Sequence, residues 1–310
     1  MSRQLLVLGY HNIEPTFAFH GTSPEAGRRG FERQLRLLRR FANVVPLRPA
    51  LADLAAGRPL PPRAVALTFD DGYLDNATVA APLLHAAGLP ATFFLVPEFL
   101  SGAARVWWEE LGWSFAHATA EHVRWEDRRY DTSTPRSRRA AMDAVSDRLK
   151  VLDSDERQDA VAELRRRLAP GGPPRARQFM DWDEADGLLR LGHDIGSHTC
   201  GHPILSREQP EVQRHELVDS RRELMSHFGR PVDVLAFPNG RVQDYSAETV
   251  RLAAEAGYAF AVTTRSALAR TGTAPHEVPR VLLDPETDLR EVLRKGLRVV
   301  QRALPGRRKL

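Results

Sequence analysis

Short apolar runs alternate with amphipathic segments along most of the chain. The runs LLVLGYH, RAVALTF and PATFFLVP are almost continuously apolar, which is typical of buried strands. The segments FERQLRLLRRF and NATVAAPLLHAAG are amphipathic and predict helices, the second ending at Gly88. Strands that alternate with helices predict a parallel sheet with right-handed crossovers.

The alternation resumes in the second half of the chain. HDIGSH, DVLAFPNG and YAFAVTT predict strands, and EVQRHELVDSRRELMSHFG and SAETVRLAAEAG predict the helices between them. This number of strand–helix units favours a barrel over an open sheet. The fold class is therefore predicted to be α/β.

Between Glu98 and Arg177 the alternation stops. Residues 133–169 are rich in charge and helical in pattern, and GGPPR follows them. We interpret 101–176 as a helical insertion in one βα loop, which in a barrel lies on the active-site face. Its first part carries three tryptophans that either pin it to the barrel or form a wall for sugar stacking: Trp107, Trp108 and Trp113.

Composition narrows the class of protein. The chain of 310 residues is 42% hydrophobic and 27% charged, which is typical of a globular protein. The first apolar run, Leu5 to Leu8, is too short for a signal peptide, and no apolar stretch is long enough to span a membrane. The single cysteine, Cys200, excludes an intramolecular disulfide. These features predict a cytoplasmic protein.

Positive charge is concentrated at the C-terminus. The net charge is +4, but residues 289–310 contain eight Lys or Arg and one acid, Glu291, so this tail carries +7 and the rest −3. A nucleic-acid-binding domain would spread its basic residues over a face, so nucleic acid is not expected as the main partner.

The tail, 289–310, has the pattern of a basic amphipathic helix. Its apolar residues fall three or four apart, and Arg and Lys occupy much of the remaining surface. Such a helix either binds an anionic membrane surface peripherally, at the inner face, or packs on the barrel with its charges solvated. Co-sedimentation with anionic vesicles, comparing the full chain with one ending at Asp288, separates these alternatives.

Polar residues cluster where the predicted strands end. Asp70 and Asp71 follow the second strand, His11 follows the first, and His198 and His202 follow the strand HDI. The sequence FPNG ends a further strand. The carboxyl ends of parallel strands line one pocket, so these residues are expected to lie together.

Two histidines and one carboxylate are typical ligands of a catalytic metal, because three protein ligands leave positions open for water or substrate. The set suits one divalent ion, with zinc the best fit and iron, cobalt or nickel as alternatives. A cation would also offset the repulsion between Asp70 and Asp71. One aspartate would bind the metal, and the other would take a proton from its water.

The motifs TFDDGY, SHTCGHP and FPNG, in this order, resemble the polysaccharide deacetylase family, also called the NodB-homology or carbohydrate esterase family 4 enzymes. The resemblance implies a distorted (β/α)7-type barrel over residues 1–288, interrupted by the insertion. It also implies metal-dependent removal of N-acetyl, sometimes O-acetyl, groups from sugars. LVLGYHNI resembles the start of a circularly permuted subgroup that includes poly-N-acetylglucosamine deacetylases.

The resemblance also implies roles for individual residues. Asp70 matches the general base, and His11 matches the general acid of the permuted subgroup, with His276 as the alternative acid. The residues Pro238, Asn239 and Gly240 would line the site, and the backbone N–H of Asn239 would stabilise the oxyanion. The matching metal ligands are Asp71, His198 and His202, with Cys200 between the histidines expected not to bind.

The sequence departs from the family at the motif near Pro238. An arginine and a tyrosine are usual there, and this chain has Ala236 and Asn239 instead. The arginine orients the base, so Arg280 in EVPRVLL is a candidate replacement, since a guanidinium can hold a carboxylate through two hydrogen bonds. The alternative for Arg280 is a surface ion pair.

The resemblance predicts an enzyme whose substrate is an N-acetylated glycan or glycoconjugate, which could be a lipid-linked sugar. Two other functions stay open at this point. One is a catalytically silent barrel that binds carbohydrate, and the other is an amide or ester hydrolase with a small non-sugar substrate.

Overall fold

The computed structural model describes residues 2–18, 22–172 and 176–290. The strands are β1 (Gln4–Tyr10), β2 (Asn43–Val44), β3 (Ala64–Phe69), β4 (Thr92–Leu95), β5 (His122–Trp125), β6 (Arg128–Asp131), β7 (Asp194–Ser197), β8 (Val234–Ala236), β9 (Phe260–Val262), β10 (Ala269–Arg270) and β11 (Val281–Leu282). The helices are α1 (Pro24–Phe41), α2 (Leu47–Ala55), α3 (Ala81–Ala87), α4 (Pro97–Leu100), α5 (Trp107–Ala116), α6 (Pro135–Leu149), α7 (Ser154–Leu168), α8 (Trp182–Arg190), α9 (Pro210–Phe228) and α10 (Ala247–Glu255).

The sheet is parallel along the order β1-β3-β4-β7-β8-β9, as the sequence predicts. Residues 278–282 connect the two ends of this strand order, β9 and β1. Val278 forms a parallel bridge with Val262 of β9, and Val281 pairs with Leu8 of β1. The predicted α/β fold with a distorted barrel is confirmed, and the carboxyl ends of its strands lie at one end of it.

The strands are buried on both faces, which explains their continuous apolar runs. In β1, Leu5 and Val7 belong to one core cluster, whereas Leu6, Leu8 and Tyr10 belong to another. The second cluster also contains apolar residues of α1, α3, α8, α9 and α10, so it fills the layer between the sheet and these helices. The predicted end of α3 is confirmed, since Gly88 adopts the left-handed conformation that glycine favours at a helix C-terminus.

The segment between β4 and β7 has its own hydrophobic core. Helices α5, α6 and α7 pack around apolar residues that include Leu111, Val145 and Leu164. The segment is not helical throughout, contrary to the prediction from its sequence, because it also contains the antiparallel hairpin β5–β6. Val123, Trp125 and Tyr130 of the hairpin are buried in the same core.

Most of the predicted C-terminal helix, 291–310, lies outside the described residues. Leu289, the first residue of its apolar stripe, is described, and it is buried in the barrel's core cluster. A truncated chain for the vesicle experiment should therefore end at Arg290 rather than Asp288, because that keeps Leu289 in place. No described helix is both long enough and apolar enough to cross a membrane.

Candidate active site

The structure places most of the predicted site residues after the carboxyl ends of four parallel strands. His11 comes directly after β1, and Asp70 and Asp71 come directly after β3. His198 comes directly after β7, and Asn239 follows β8. The site is therefore assembled by the sheet, because the parallel strand order brings together residues that are far apart in sequence.

Asp71, His198 and His202 form a compact buried group. Asp71 Oδ1 lies 3.3 Å from Nε2 of His198 and 3.3 Å from Nε2 of His202. All three side chains are almost fully buried. In the part of the chain that the structure describes, this is the one group of three or more His, Cys, Asp or Glu whose ligand atoms converge closely enough to hold a metal ion.

Two features of this group fit a metal ion. Asp71 Oδ1 is buried, and no described residue is oriented to hydrogen-bond it, despite the short distances to the two imidazoles. Ligand atoms about 2.0–2.1 Å from a tetrahedral zinc ion lie about 3.3 Å from each other. The two separations from Asp71 Oδ1 therefore match the distance between ligands of one small cation, and all three ligand atoms lie within 4.8 Å of one another.

The surrounding backbone orients these ligands. His198 Nδ1 donates to the carbonyl oxygen of Ala236 at 2.7 Å when it carries the proton, which leaves Nε2 as the atom facing Asp71. Asp71, His202 and Asn239 all have positive φ, at 71°, 63° and 56°. Such left-handed conformations are costly for residues other than glycine and are concentrated at functional sites.

Arg280 holds the neighbouring carboxylate. Its Nη1 and Nη2 donate to the two oxygens of Asp70 at 2.7 and 2.8 Å, and its Nε donates to the carbonyl oxygen of Thr263 at 3.2 Å. Nη1 also donates to Thr68 Oγ1 at 3.1 Å. Arg280 is fully buried, so the alternative of a surface ion pair is wrong.

The charge environment keeps Asp70 ionised. Burial alone would raise the pKa of its carboxyl group, but the charges of Arg280 and His198 and the hydrogen bonds from Arg280 outweigh burial and lower that pKa below its usual value. His11 contributes in the same direction. Asp70 is therefore a proton acceptor at neutral pH, not a donor.

The group opens into a cavity of about 440 Å³ between the barrel and the insertion. His11, Asp71, His202 and Asn239 line its barrel side. The insertion contributes Trp107, Trp108, Met142, Asp143, Ser146, Asp147 and Lys150. A groove of about 510 Å³ between α1 and residues 286–290 contains none of the predicted site residues.

A buried carboxylate, which the sequence analysis did not predict, ties the insertion to this site. Glu109 of α5 is fully buried and accepts hydrogen bonds from Tyr73, Thr16 and Gln178 at 2.9, 2.7 and 2.8 Å. The Tyr73 hydroxyl in turn accepts one from Trp108 Nε1 at 2.9 Å. The Trp108 ring lies 4.7 Å from the His202 ring, centroid to centroid.

The three tryptophans therefore have different surroundings. Trp107 is buried mainly in the insertion's own core. Trp108 is half-buried between the Tyr73 hydroxyl, the His202 ring and the cavity. Trp113 packs on the imidazole of His117 and the guanidinium of Arg165 and does not line the cavity. Of the three tryptophans, only Trp108 combines a hydrogen bond to the barrel with a wall position beside the Asp71–His198–His202 group.

The remaining candidates lie at or outside the edge of the site. Pro238 is buried behind Asn239, and Gly240 packs against Thr264, whose backbone N–H donates to the Gly240 carbonyl oxygen at 2.8 Å. Cys200 is buried and is not part of the Asp71–His198–His202 group. His276 Nε2 lies 2.8 Å from the carbonyl oxygen of Tyr258, which precedes β9, and so it lies at the amino end of that strand.

The sequence model of the polysaccharide deacetylase family matches residues 57–261, which is more than half of the chain. The curated Bacillus subtilis protein YxkH is 22% identical over 284 residues, covering 91% of this chain and 72% of YxkH.

Solved structures share the fold. The Streptococcus pyogenes deacetylase PplD, solved in complex with acetate, aligns with a TM-score of 0.64 at 18% identity, covering 96% of this chain and 99% of PplD. IcaB from Ammonifex degensii aligns with a TM-score of 0.58 at 20% identity, covering 92% of this chain and 94% of IcaB. The BpsB deacetylase domain from Bordetella bronchiseptica also scores 0.58, at 18% identity, with 91% and 96% covered.

The Asp70–Arg280 pair should dominate the stability of the site. Replacing Arg280 by Met leaves Asp70 buried without its cation, which should lower the free energy of unfolding by about 3–5 kcal/mol. The matched control is Arg251→Met, because Arg251 pairs with Glu248 and Glu255 on the surface, where solvent screens the charges, and its loss should have a much smaller effect. Urea unfolding of both variants measures the difference, and equal effects would contradict this account of the pair.

Proposed function

Because the chain belongs to the polysaccharide deacetylase family, we propose that it is a metal-dependent hydrolase that removes acetyl groups, most of all N-acetyl groups, from a glycan or glycoconjugate. The observation that carries this proposal is the pairing of a convergent Asp71–His198–His202 group with a separate ionised carboxylate, Asp70, held by Arg280. Such a division between metal ligands and a free base is suited to metal-assisted hydrolysis.

Asp71 Oδ1 and the Nε2 atoms of His198 and His202 would hold one divalent cation, with zinc favoured by the mixed nitrogen and oxygen ligands and iron, cobalt or nickel as alternatives. When bound, the ion would supply Lewis-acid polarisation and lower the pKa of a water molecule. The Trp108 ring beside His202 would exclude bulk water from one side of this centre.

Asp70 would accept the proton of the attacking water. The bidentate hydrogen bonds from Arg280 fix its carboxylate plane, and the lowered pKa keeps it in the basic form. A carboxylate of low pKa is a weak base, so it is effective only toward an unusually acidic water. This is why the base and the metal-binding group have to be neighbours.

His11 would complete the reaction. Collapse of the tetrahedral intermediate expels an amine, which is a poor leaving group unless it is protonated. An imidazole is suited to supply that proton near neutral pH. The backbone N–H of Asn239, which lines the same cavity, is the proposed donor to the oxyanion.

The substrate class rests on the cavity and on the neighbouring structures. PplD was solved with acetate, which is the product expected here. The cavity wall contributed by the insertion offers the Trp108 ring and the polar side chains of Asp143, Ser146, Asp147 and Lys150, a mixture suited to a sugar ring and its hydroxyl groups. A silent binder would have no use for a buried base beside a metal-binding group. A small amide or ester remains the alternative substrate.

The division of roles predicts different losses for the two aspartates. Asp71→Asn should lose both activity and metal, because the carboxylate charge supports the bound cation. Asp70→Asn should abolish hydrolysis and retain metal close to one ion per chain, because Asp70 is not a ligand. Elemental analysis and acetate release measure both properties, and loss of metal from Asp70→Asn would overturn the assignment.

The proposed acid predicts a contrast between two histidines. His11→Ala should lower kcat by on the order of a hundredfold, the scale of general acid catalysis. The control, His276→Ala, should have nearly unchanged kcat, because His276 lies at the amino end of β9. The reverse pattern would remove His11 from the mechanism.

One assay separates the three candidate functions. A glycan deacetylase should release acetate from chito-oligosaccharides much faster than from simple acetamides, and a chelator should stop the release. Comparable rates on both kinds of substrate would favour the hydrolase of small molecules. Binding of the oligosaccharide with no acetate release, after metal is added back, would favour the silent binder.

A further inference from the structure

Asp75 and Asn76, which follow the motif TFDDGY, bind the backbone of the loop that carries His11. Asp75 Oδ2 accepts hydrogen bonds from the backbone N–H groups of Ile13 and Glu14, at 2.6 and 2.7 Å. The adjacent Asn76 donates from Nδ2 to the carbonyl oxygen of His11 at 2.8 Å and to Asp75 Oδ1 at 3.1 Å. Two neighbouring side chains thus bind three of the first four residues of the loop: His11, Ile13 and Glu14.

We propose that Asp75 and Asn76 are positioning residues that fix the general acid, His11, relative to the metal-binding group. The inference rests on the proposed function, because it assumes that His11 donates the proton to the leaving amine. Neither Asp75 nor Asn76 lines the catalytic cavity, so they would act through the loop backbone and not by contact with the substrate.

The loop needs such partners because regular structure stops at Tyr10. Residues 11–18 are neither strand nor helix, so their backbone groups lack a ladder to satisfy them. The residue before His11 is fixed by the sheet, since the backbone N–H of Asp70 donates to the Tyr10 carbonyl oxygen at 2.9 Å. Asp75 and Asn76 fix the other side, so His11 is held from both directions by the segment that carries Asp70 and Asp71.

The chemistry of the two side chains suits this task. A carboxylate accepting from backbone N–H groups makes charge-assisted hydrogen bonds, which are roughly twice as strong as neutral ones. Burial raises the pKa of Asp75 to about 6, although the hydrogen bonds from the two N–H groups act to lower that pKa. The carboxylate is therefore charged at neutral pH, at some cost in free energy. Asn76 is fully buried and begins a π-helical turn, Asn76–Ala80, a distortion that is frequent at functional sites.

The position of His11 matters as well as its presence. A misplacement of about 1 Å of a catalytic group can cost about a hundredfold in rate. Loss of the Asp75 acceptor would leave two N–H groups of the loop without their partner and allow such a displacement. The expected defect is therefore a partial loss of acid catalysis, with the metal-binding group intact.

The test compares substrates that differ in their need for an acid. An N-acetylated chito-oligosaccharide expels an amine and needs protonation, whereas 4-nitrophenyl acetate expels a phenolate that leaves without it. In metal-loaded enzyme, Asp75→Ala and Asn76→Ala should lower kcat for the amide by tenfold or more, with smaller changes in KM and in 4-nitrophenyl acetate hydrolysis. Asp75→Asn keeps an acceptor oxygen and should recover part of the loss.

Controls distinguish positioning from general destabilisation. Asp181→Ala removes the carboxylate that caps α8 away from the cavity, so it should lower thermal stability and leave the ratio of the two activities unchanged. The double variant His11→Ala/Asp75→Ala should lose no more amide activity than His11→Ala alone, because the two residues act as one unit. Metal content should stay near that of the unaltered protein in every variant.

The outcomes separate this inference from the proposed function. If His11→Ala affects the amide selectively but Asp75→Ala lowers both activities equally, or if the two losses add in the double variant, the positioning role is overturned and the role of His11 stands. If His11→Ala itself lowers both activities equally, the assignment of the acid and this inference both fail. Metal loss from Asp75→Ala would also overturn the inference.

Discussion

Two ionised carboxylates lie side by side at the end of a buried strand, and the site is organised around keeping both of them charged. A buried carboxylate without compensation takes up a proton, so each aspartate needs its own source of positive potential. Arg280 supplies it to Asp70 through two hydrogen bonds. Asp71 instead faces two imidazoles, and a bound cation would complete its compensation.

The two compensating groups come from distant parts of the chain, and this ties the site to closure of the barrel. Arg280 immediately precedes β11, which pairs with β1, whereas His198 and His202 follow β7. Asp70 therefore meets its guanidinium only when the last strand has joined the first. The oriented base and the closed barrel are consequences of the same set of contacts.

Sequence patterns predicted the parts of this arrangement that are local or that lie at strand ends. Continuous apolar runs predicted β1, β3 and β4, because burial on both faces leaves no alternation to interpret. The placement of Asp70, Asp71, His198 and His202 in one pocket followed from parallel strand order. Arg280 could be named only as a candidate, since a pairing across 210 residues leaves no periodic signal.

The hairpin β5–β6 and the network around Glu109 were missed for different reasons. HVRWEDRRYD does alternate, with Val123, Trp125 and Tyr130 buried, but the charged residues between them resemble those of the neighbouring helices. Glu109 lies in a pattern that is ordinary for an amphipathic helix. Its burial depends on Tyr73, Thr16 and Gln178, which come from three other segments, so nothing in its local sequence marks it.

The contacts of Glu109, Tyr73 and Trp108 indicate how a barrel that is common to the family can be combined with a different cavity wall in each member. The barrel supplies Asp70, Asp71 and the histidines, and the insertion, with its own core, supplies the opposite wall of the cavity. The two units are joined by an apolar cluster that contains Val96, Phe99, Val106 and Phe179, and also by polar contacts. Glu109, Tyr73 and Trp108 provide such polar contacts within reach of His202, so the wall of the cavity formed by the insertion is held in register with the Asp71–His198–His202 group.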